Sequence, residues 1–241
     1  MCTVSFVRTA ESVIITSNRD ENIQRQKAAA PGFHDLHNKK IIFPKDTRAG
    51  GTWFAAGNNG VVAVLLNGAF VKHIPKPPYR KSRGLILLDI IESDTPFLFF
   101  RQMDLSDIEP FTIILYEAGN LYELRWDGKD RFERSMGNTN NHIWSSSTLY
   151  TDDITAMRKG LFEQFIQDAN VLTAEGVYGF HNYNHGDEEN GFVISRQSGM
   201  RTFSITQAVI TAGEIKFLHT DLLQHQQFET VMHIGETSIK S

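Results

Sequence analysis

The chain has 241 residues, 41% of them hydrophobic and 22% charged, with a formal net charge of −4. That balance suits a soluble globular domain with a sizeable core and excludes a global attraction to nucleic acid. No segment approaches the roughly 18 consecutive apolar residues that a membrane helix needs.

Cys2 is the single cysteine, so no internal disulfide can form, which fits a reducing compartment. Arg8 and Glu11 interrupt the start before a secretory apolar region develops. A cytoplasmic address and a single domain over residues 1–241 are the expectations.

Residues 3–7 (TVSFV) and 12–16 (SVIIT) are β-branched runs joined by a turn-like RTAE, and they predict a hairpin. Polar, Ala/Pro/Gly-rich sequence over 21–33 predicts a loop, and KIIFP over 40–44 a strand stopped by Pro44. Residues 50–68 predict two strands about a GNNG turn, the second so apolar from Val61 to Leu66 that both its faces should be buried. Ser82 is placed to cap a helix over GLILLDIIES.

A second hairpin is expected around EAGN within 111–128. Between Asp152 and Asn170, Met157, Leu161, Phe162, Phe165, Ile166 and Ala169 form a helical stripe. Strands are expected at 191–195, 201–210 and 214–223. Strands at both ends with helices between predict an α+β or layered α/β domain, without the parallel βαβ alternation of nucleotide-binding folds.

Three features bear chemistry. Cys2 would become the first residue if Met1 were removed, and its α-amine could then accept the thiol proton near neutral pH. The bland alternative is a small strand residue. Asn18-Arg19-Asp20-Glu21 ends the second strand of the hairpin, beside the start of the first. An arginine there would stabilise a thiolate and a carboxylate would hold an ammonium, the alternative being a solvated strand end. Asn67 follows the buried run and can donate to an oxyanion or simply form an Asn-Gly turn.

Together with FPKDTRAGGTW, LLNGAF, PYRKSRG, IEPFTIILYE, LYELRWDG, IWSSSTLYT and TFSIT, these residues resemble the NRDE family, also called the transport-and-Golgi-organisation protein 2 family. The resemblance spans nearly the whole chain and implies a branch of the N-terminal nucleophile hydrolases. The implied fold is a four-layer αββα sandwich of two antiparallel sheets, and the implied chemistry that of cysteine-type amidases such as penicillin V acylase and conjugated bile acid hydrolase.

Carried over by position, Cys2 matches the nucleophile and Arg19 the arginine one strand later. The amidase aspartate three positions on is here Asn22, displacing that role to Asp20 or Glu21. Asn67 matches the oxyanion asparagine, and Asn138, with Asn140 and Asn141 as alternatives, a second one. A late amidase arginine has approximate counterparts in Arg196 and Arg201. Asn18, Glu21 and Trp53 are expected at the substrate.

Lys72, Lys76, Arg80, Lys81 and Arg83 cluster before or at a helix start, where a ligand's carboxylate or phosphate would dock at Arg80 and Arg83, or where a loop is simply solvated. His181 and His185 with Asp187, Glu188 and Glu189 lack a zinc-binding helical pattern, and His34 with His37 is weaker. No metal or cofactor is expected. Gly-rich stretches lack a phosphate-loop lysine, and Trp126 and Trp144 are expected in the core or a pocket wall.

The expected function is an amidase acting on a non-peptide C–N bond of a small-molecule substrate. The alternatives are a carrier of haem or an acyl or lipid ligand in the same pocket, and a scaffold acting through its surface. No nucleic-acid partner is expected.

Overall fold

The structure, a computed structural model, describes residues 3–36, 39–137 and 139–235. In chain order come β1 (Thr3–Arg8), β2 (Val13–Asn22), β3 (Ala29–Leu36), β4 (Lys39–Lys45), β5 (Phe54–Gly57) and β6 (Val62–Asn67). Helices α1 (Arg83–Glu92) and α2 (Pro96–Gln102) precede β7 (Phe111–Glu117), β8 (Asn120–Trp126), β9 (Arg131–Ser135) and β10 (His142–Ser145). The chain continues through α3 (Asp152–Asp168), α4 (Ala174–His181), β11 (Met200–Ile210), β12 (Glu214–Asp221) and β13 (Gln226–His233).

The strands form two antiparallel sheets, ordered β10-β1-β2-β11-β12-β13 and β3-β4-β5-β6-β7-β8-β9. Their facing surfaces share an apolar core that includes Val4, Phe6 and Ile15 from one sheet and Phe54, Val62 and Val64 from the other. Helices α1 and α2 cover the outside of the second sheet through Ile86, Leu87, Ile90 and Phe100. Helices α3 and α4 cover the first through Phe162, Val177 and Phe180 against Val7 and Ile14. This is the expected four-layer αββα sandwich.

Period-two alternation assigns the layers. In β1, Val4 and Phe6 enter the core between the sheets while Val7 packs under the helices. Strand β6 is buried from Val62 to Leu66, as its continuous apolar run requires. The β7–β8 hairpin turns on Ala118 and Gly119, with φ of 49° and 79°, the left-handed pair that a two-residue turn needs.

Several expectations are corrected. The predicted loop over 21–33 is shorter, because β2 runs to Asn22 and β3 begins at Ala29. Strand β3 is a sheet edge, where Pro31 and Gly32 are tolerated and the register shifts at a bulge. Pro44 lies inside β4 rather than ending it. Residues 191–195 form no strand, and only Ser195 bridges to Arg201. Ser82 occupies the N-cap of α1, but its side chain makes no capping bond.

The start of α1 is pressed against the segment before β5. A Cβ on Gly51 would lie 2.4 Å from the carbonyl carbon of Gly84, and one on Gly84 would lie 2.8 Å from the Thr52 carbonyl oxygen. These are backbone contacts that no side-chain motion relieves. We expect Gly51→Ala to cost about 1–3 kcal/mol in denaturant unfolding; an unchanged midpoint would contradict the close approach.

Candidate active site

The Asn18–Glu21 quartet lies wholly within β2 and is not a solvated strand end. Asn18, Arg19 and Asp20 are buried. Their neighbours on β11 account for this: β2 is an interior strand, flanked by β1 and β11. Alternation therefore sends the four side chains to two different places.

Asn18 and Asp20 face the helices. The Asn18 amide donates to the carbonyls of His181 and Phe192, each at 2.9 Å. Its Oδ1 is left to accept from His181 Nδ1, so Nδ1 carries the proton and Nε2 accepts from the Ser5 hydroxyl at 2.7 Å. The Asp20 carboxylate accepts from the Tyr150 hydroxyl at 2.9 Å and the Thr202 hydroxyl at 2.6 Å. These bonds tie α4, the segment before α3, the segment after α4 and β11 to β2. They make Asn18 a buried structural residue rather than part of the ligand pocket.

Arg19 and Glu21 face the other way. The Arg19 guanidinium lies 4.5 Å from the Trp53 ring centroid and 5.6 Å from that of Phe203. It pairs with Glu21 at 3.4 Å and Asp46 at 3.5 Å. Phe203 is the extra residue of a β11 bulge opposite Arg19 and Asp20, where the register shifts between Thr202 and Ser204.

Arg25 completes the charged group, 2.9 Å from Asp46. Burial alone would raise the Asp46 carboxyl, but the Ala49 N–H and the Arg25 guanidinium outweigh it and hold Asp46 below its ordinary value.

These side chains line a cleft of about 420 Å³ that also takes in Trp53, Asn67 and Arg83. Burial pulls Arg83 below the usual guanidinium value, opposed by Glu109 at 3.0 Å. Asn67 Oδ1, Trp53 Nε1 and Ser82 Oγ are buried in this wall without a hydrogen-bond partner among the described residues. Arg25 Nε on the same cleft is a fourth such atom, so the wall leaves hydrogen-bonding capacity open to water or a bound molecule.

The other expected site residues divide clearly. Arg83 lines the cleft, but Arg80 does not. Arg80 is half-exposed and held by Asp104 at 3.2 Å and the Ser106 carbonyl at 3.2 Å. Cys2 and Asn138 lie outside the described residues. Asn140 is exposed, and Asn141 Oδ1 accepts from the Arg8 N–H at 2.9 Å. Neither Arg196 nor Arg201 lines the cleft. Among the described residues no three His, Cys, Asp or Glu side chains are grouped to hold a metal ion.

Sequence reasoning missed Arg158, which is fully buried in α3. It donates to the Asn190 carbonyl at 2.9 Å, the Gly191 carbonyl at 2.6 Å and the Thr3 hydroxyl. Its guanidinium stacks 4.1 Å from the Tyr150 centroid and 4.4 Å from that of Phe192. Thr3 itself pairs with Asn18 and Ser145 in the sheet. Arg158 thus fixes the first described residue of β1. The available signal was its position one turn before Phe162 on the apolar stripe.

The profile of one family, Transport and Golgi organisation 2, matches residues 1–187. The chain belongs to that family. No curated protein gives a match.

Solved structures show the same fold. A Caenorhabditis elegans ortholog of N-acylethanolamine-hydrolyzing acid amidase aligns with a TM-score of 0.62 at 8% identity, covering 86% of this chain and 92% of that one. A cysteine-to-alanine mutant of the conjugated bile acid hydrolase from Clostridium perfringens gives 0.58 at 10% identity, covering 96% and 92%. An arginine-to-leucine variant of that hydrolase gives 0.54 at 9%, with coverage of 96% and 92%. At such identities the likeness speaks to the fold alone.

Two buried imidazoles make the fold sensitive to acid. Burial, with Arg158 and His185 adding to it, lowers His181 from 6.5 to about 3. Burial also lowers His219 from 6.5 to about 4, with Arg19 adding and Asp221 opposing; Thr206 holds its Nδ1 at 2.8 Å. Both are neutral in the folded chain while the unfolded chain takes up protons below 6.5. Stability is therefore lost as pH falls. Between about pH 7 and about pH 5 each histidine should contribute a loss of about 2 kcal/mol. Denaturant unfolding of wild type and His219→Gln at both pH values should show the smaller loss in the variant; equal losses would contradict the assignment.

Proposed function

We propose that this protein is a cysteine hydrolase of the N-terminal nucleophile type, acting on the amide C–N bond of a small acyl amide, with Cys2 as nucleophile once Met1 is removed. The observation that carries the reading is the cleft wall: Arg19 lines it from the strand paired with the start of β1, and Asn67 lines it too, its Oδ1 without a hydrogen-bond partner among the described residues. Thr3 faces the helices, where its hydroxyl meets Arg158.

An N-terminal cysteine carries both the nucleophile and the base. The α-amine of Cys2 takes the thiol proton, and Arg19 favours the thiolate. Sulfur attacks the carbonyl carbon, and the oxyanion that forms accepts from the Asn67 amide and from Asn138. The C–N bond breaks as the ammonium returns its proton to the leaving amine. Water, deprotonated by the same amine, then attacks the thioester and releases a carboxylic acid and the thiol. Of the two candidate carboxylates, Glu21 shares the face of Arg19, and Asp20 anchors Tyr150 and Thr202 behind it.

The family description favours a second reading, in which the same cleft carries an acyl, lipid or haem ligand without cleaving it. Trp53 and the unpartnered polar atoms serve such a carrier equally well.

Intact-mass measurement separates the two. Protein from cells should lack Met1, and incubation with a panel of N-acyl amides should add an acyl mass to Cys2 and release free acid. Cys2→Ala should abolish turnover, and Asn67→Ala should lower kcat by roughly 10²–10³-fold. Undiminished turnover in Cys2→Ala would contradict the mechanism. Retention of Met1 with reversible ligand binding would favour the carrier.

A further inference from the structure

We infer that the loop over residues 70–78 docks the protein onto an anionic lipid bilayer, bringing the mouth of the cleft to the membrane. Three large apolar side chains stand in water within five residues: Phe70 is 50% exposed, Val71 74% and Ile74 83%. Single exposed apolar residues are ordinary, but a cluster on one loop is not. Phe132, 41% exposed on β9, extends the patch by meeting Phe70 edge-on at a centroid distance of 4.9 Å.

The charge carried by the loop itself has one sign. Residues 68–84 contain Lys72, Lys76, Arg80, Lys81 and Arg83 and no Asp or Glu, in a chain whose net charge is −4. Arg80, Lys81 and Arg83 are committed to Asp104, Asp89 and Glu109. Lys72 and Lys76, beside the apolar tips, make no ion pair with any described carboxylate. Aliphatic tips flanked by unpaired lysines complement an anionic bilayer surface: the tips enter the acyl boundary while the ammonium groups meet lipid phosphates and carboxylates. A nucleic acid would offer nothing for Val71 and Ile74 to enter.

The loop is held in place for such a role. His73 meets Glu109 at 3.0 Å, and the Lys76 N–H donates to the Tyr79 hydroxyl at 2.7 Å. Arg125 lies beneath Phe70, 4.7 Å from its ring centroid. Tyr79, Lys81 and Ser82, which follow the tips directly, line the cleft. A docked loop therefore places the cleft where a ligand with an acyl chain partitions. The inference stands whether that ligand is cleaved or carried.

Co-sedimentation of the full chain with vesicles tests it. The chain should bind phosphatidylcholine vesicles containing about a third phosphatidylserine more tightly than phosphatidylcholine alone, and the difference should shrink with added salt. Val71→Ser/Ile74→Ser should lower the partition coefficient at least about tenfold. Lys72→Glu/Lys76→Glu should lower it by about fivefold or more per lysine and remove the preference for phosphatidylserine. All four side chains are exposed, so unfolding midpoints should match wild type and a loss of binding would not reflect misfolding. Equal partition onto both vesicle types, or unchanged binding in both variants, would overturn the inference; capture of a soluble protein through this loop without vesicle binding would do the same.

Discussion

Strand β2 is buried on both faces through eight consecutive residues, yet the last of these are polar or charged. That constraint organises the rest of the molecule. A strand with two buried faces must satisfy every polar group it presents, because an unpaired buried polar atom costs about 1–3 kcal/mol and a charge considerably more. The chain meets this demand in two ways. Asn18 and Asp20 are closed by hydroxyls, carbonyls and an imidazole from the helical side. Arg19 is closed by carboxylates and aromatic faces at the edge of a cleft.

The two solutions have different consequences. The helix-facing network welds α4, Tyr150 and β11 to β2, and His181 serves it only as a neutral imidazole with its proton on Nδ1. Arg158 adds a buried cation held by carbonyls, a hydroxyl and two rings, which fixes the beginning of β1. The cleft-facing group is mixed in sign, and four polar atoms in its wall find no hydrogen-bond partner among the described residues. Rigidity on one side of β2 thus supports an unsatisfied, receptive surface on the other. This is the arrangement a preorganised site requires.

Much of this was legible in the residues. The β1–β2 hairpin, the buried strand β6, helices α1 and α3 and the family resemblance all rest on local patterns strong enough to survive the fold. Edge strands β3 and β13 were hidden because edges tolerate Pro, Gly and polar residues that elsewhere signal loops. The quartet itself was legible as important but not as divided, since its burial comes from β11, more than 180 residues away. Arg80 and Arg83 were indistinguishable in sequence, and only the onset of α1 turns one into the cleft and leaves the other outside. His181 looked like part of a polar loop, although Val177 one turn earlier placed it on the buried side of α4.

The division of β2 gives its residues different roles: Asn18 serves stability, and the role proposed for Arg19 is on the cleft and the nucleophile. The pH dependence of Cys2 alkylation by iodoacetamide, measured on the Met1-free protein, tests this most directly. Wild type should alkylate with an apparent pKa below the ordinary thiol value of about 8.5, and Arg19→Met should shift that profile upward. Asn18→Ala should leave the profile in place while lowering the unfolding midpoint. Superimposable profiles for wild type and Arg19→Met, or a shift caused by Asn18→Ala instead, would contradict the account.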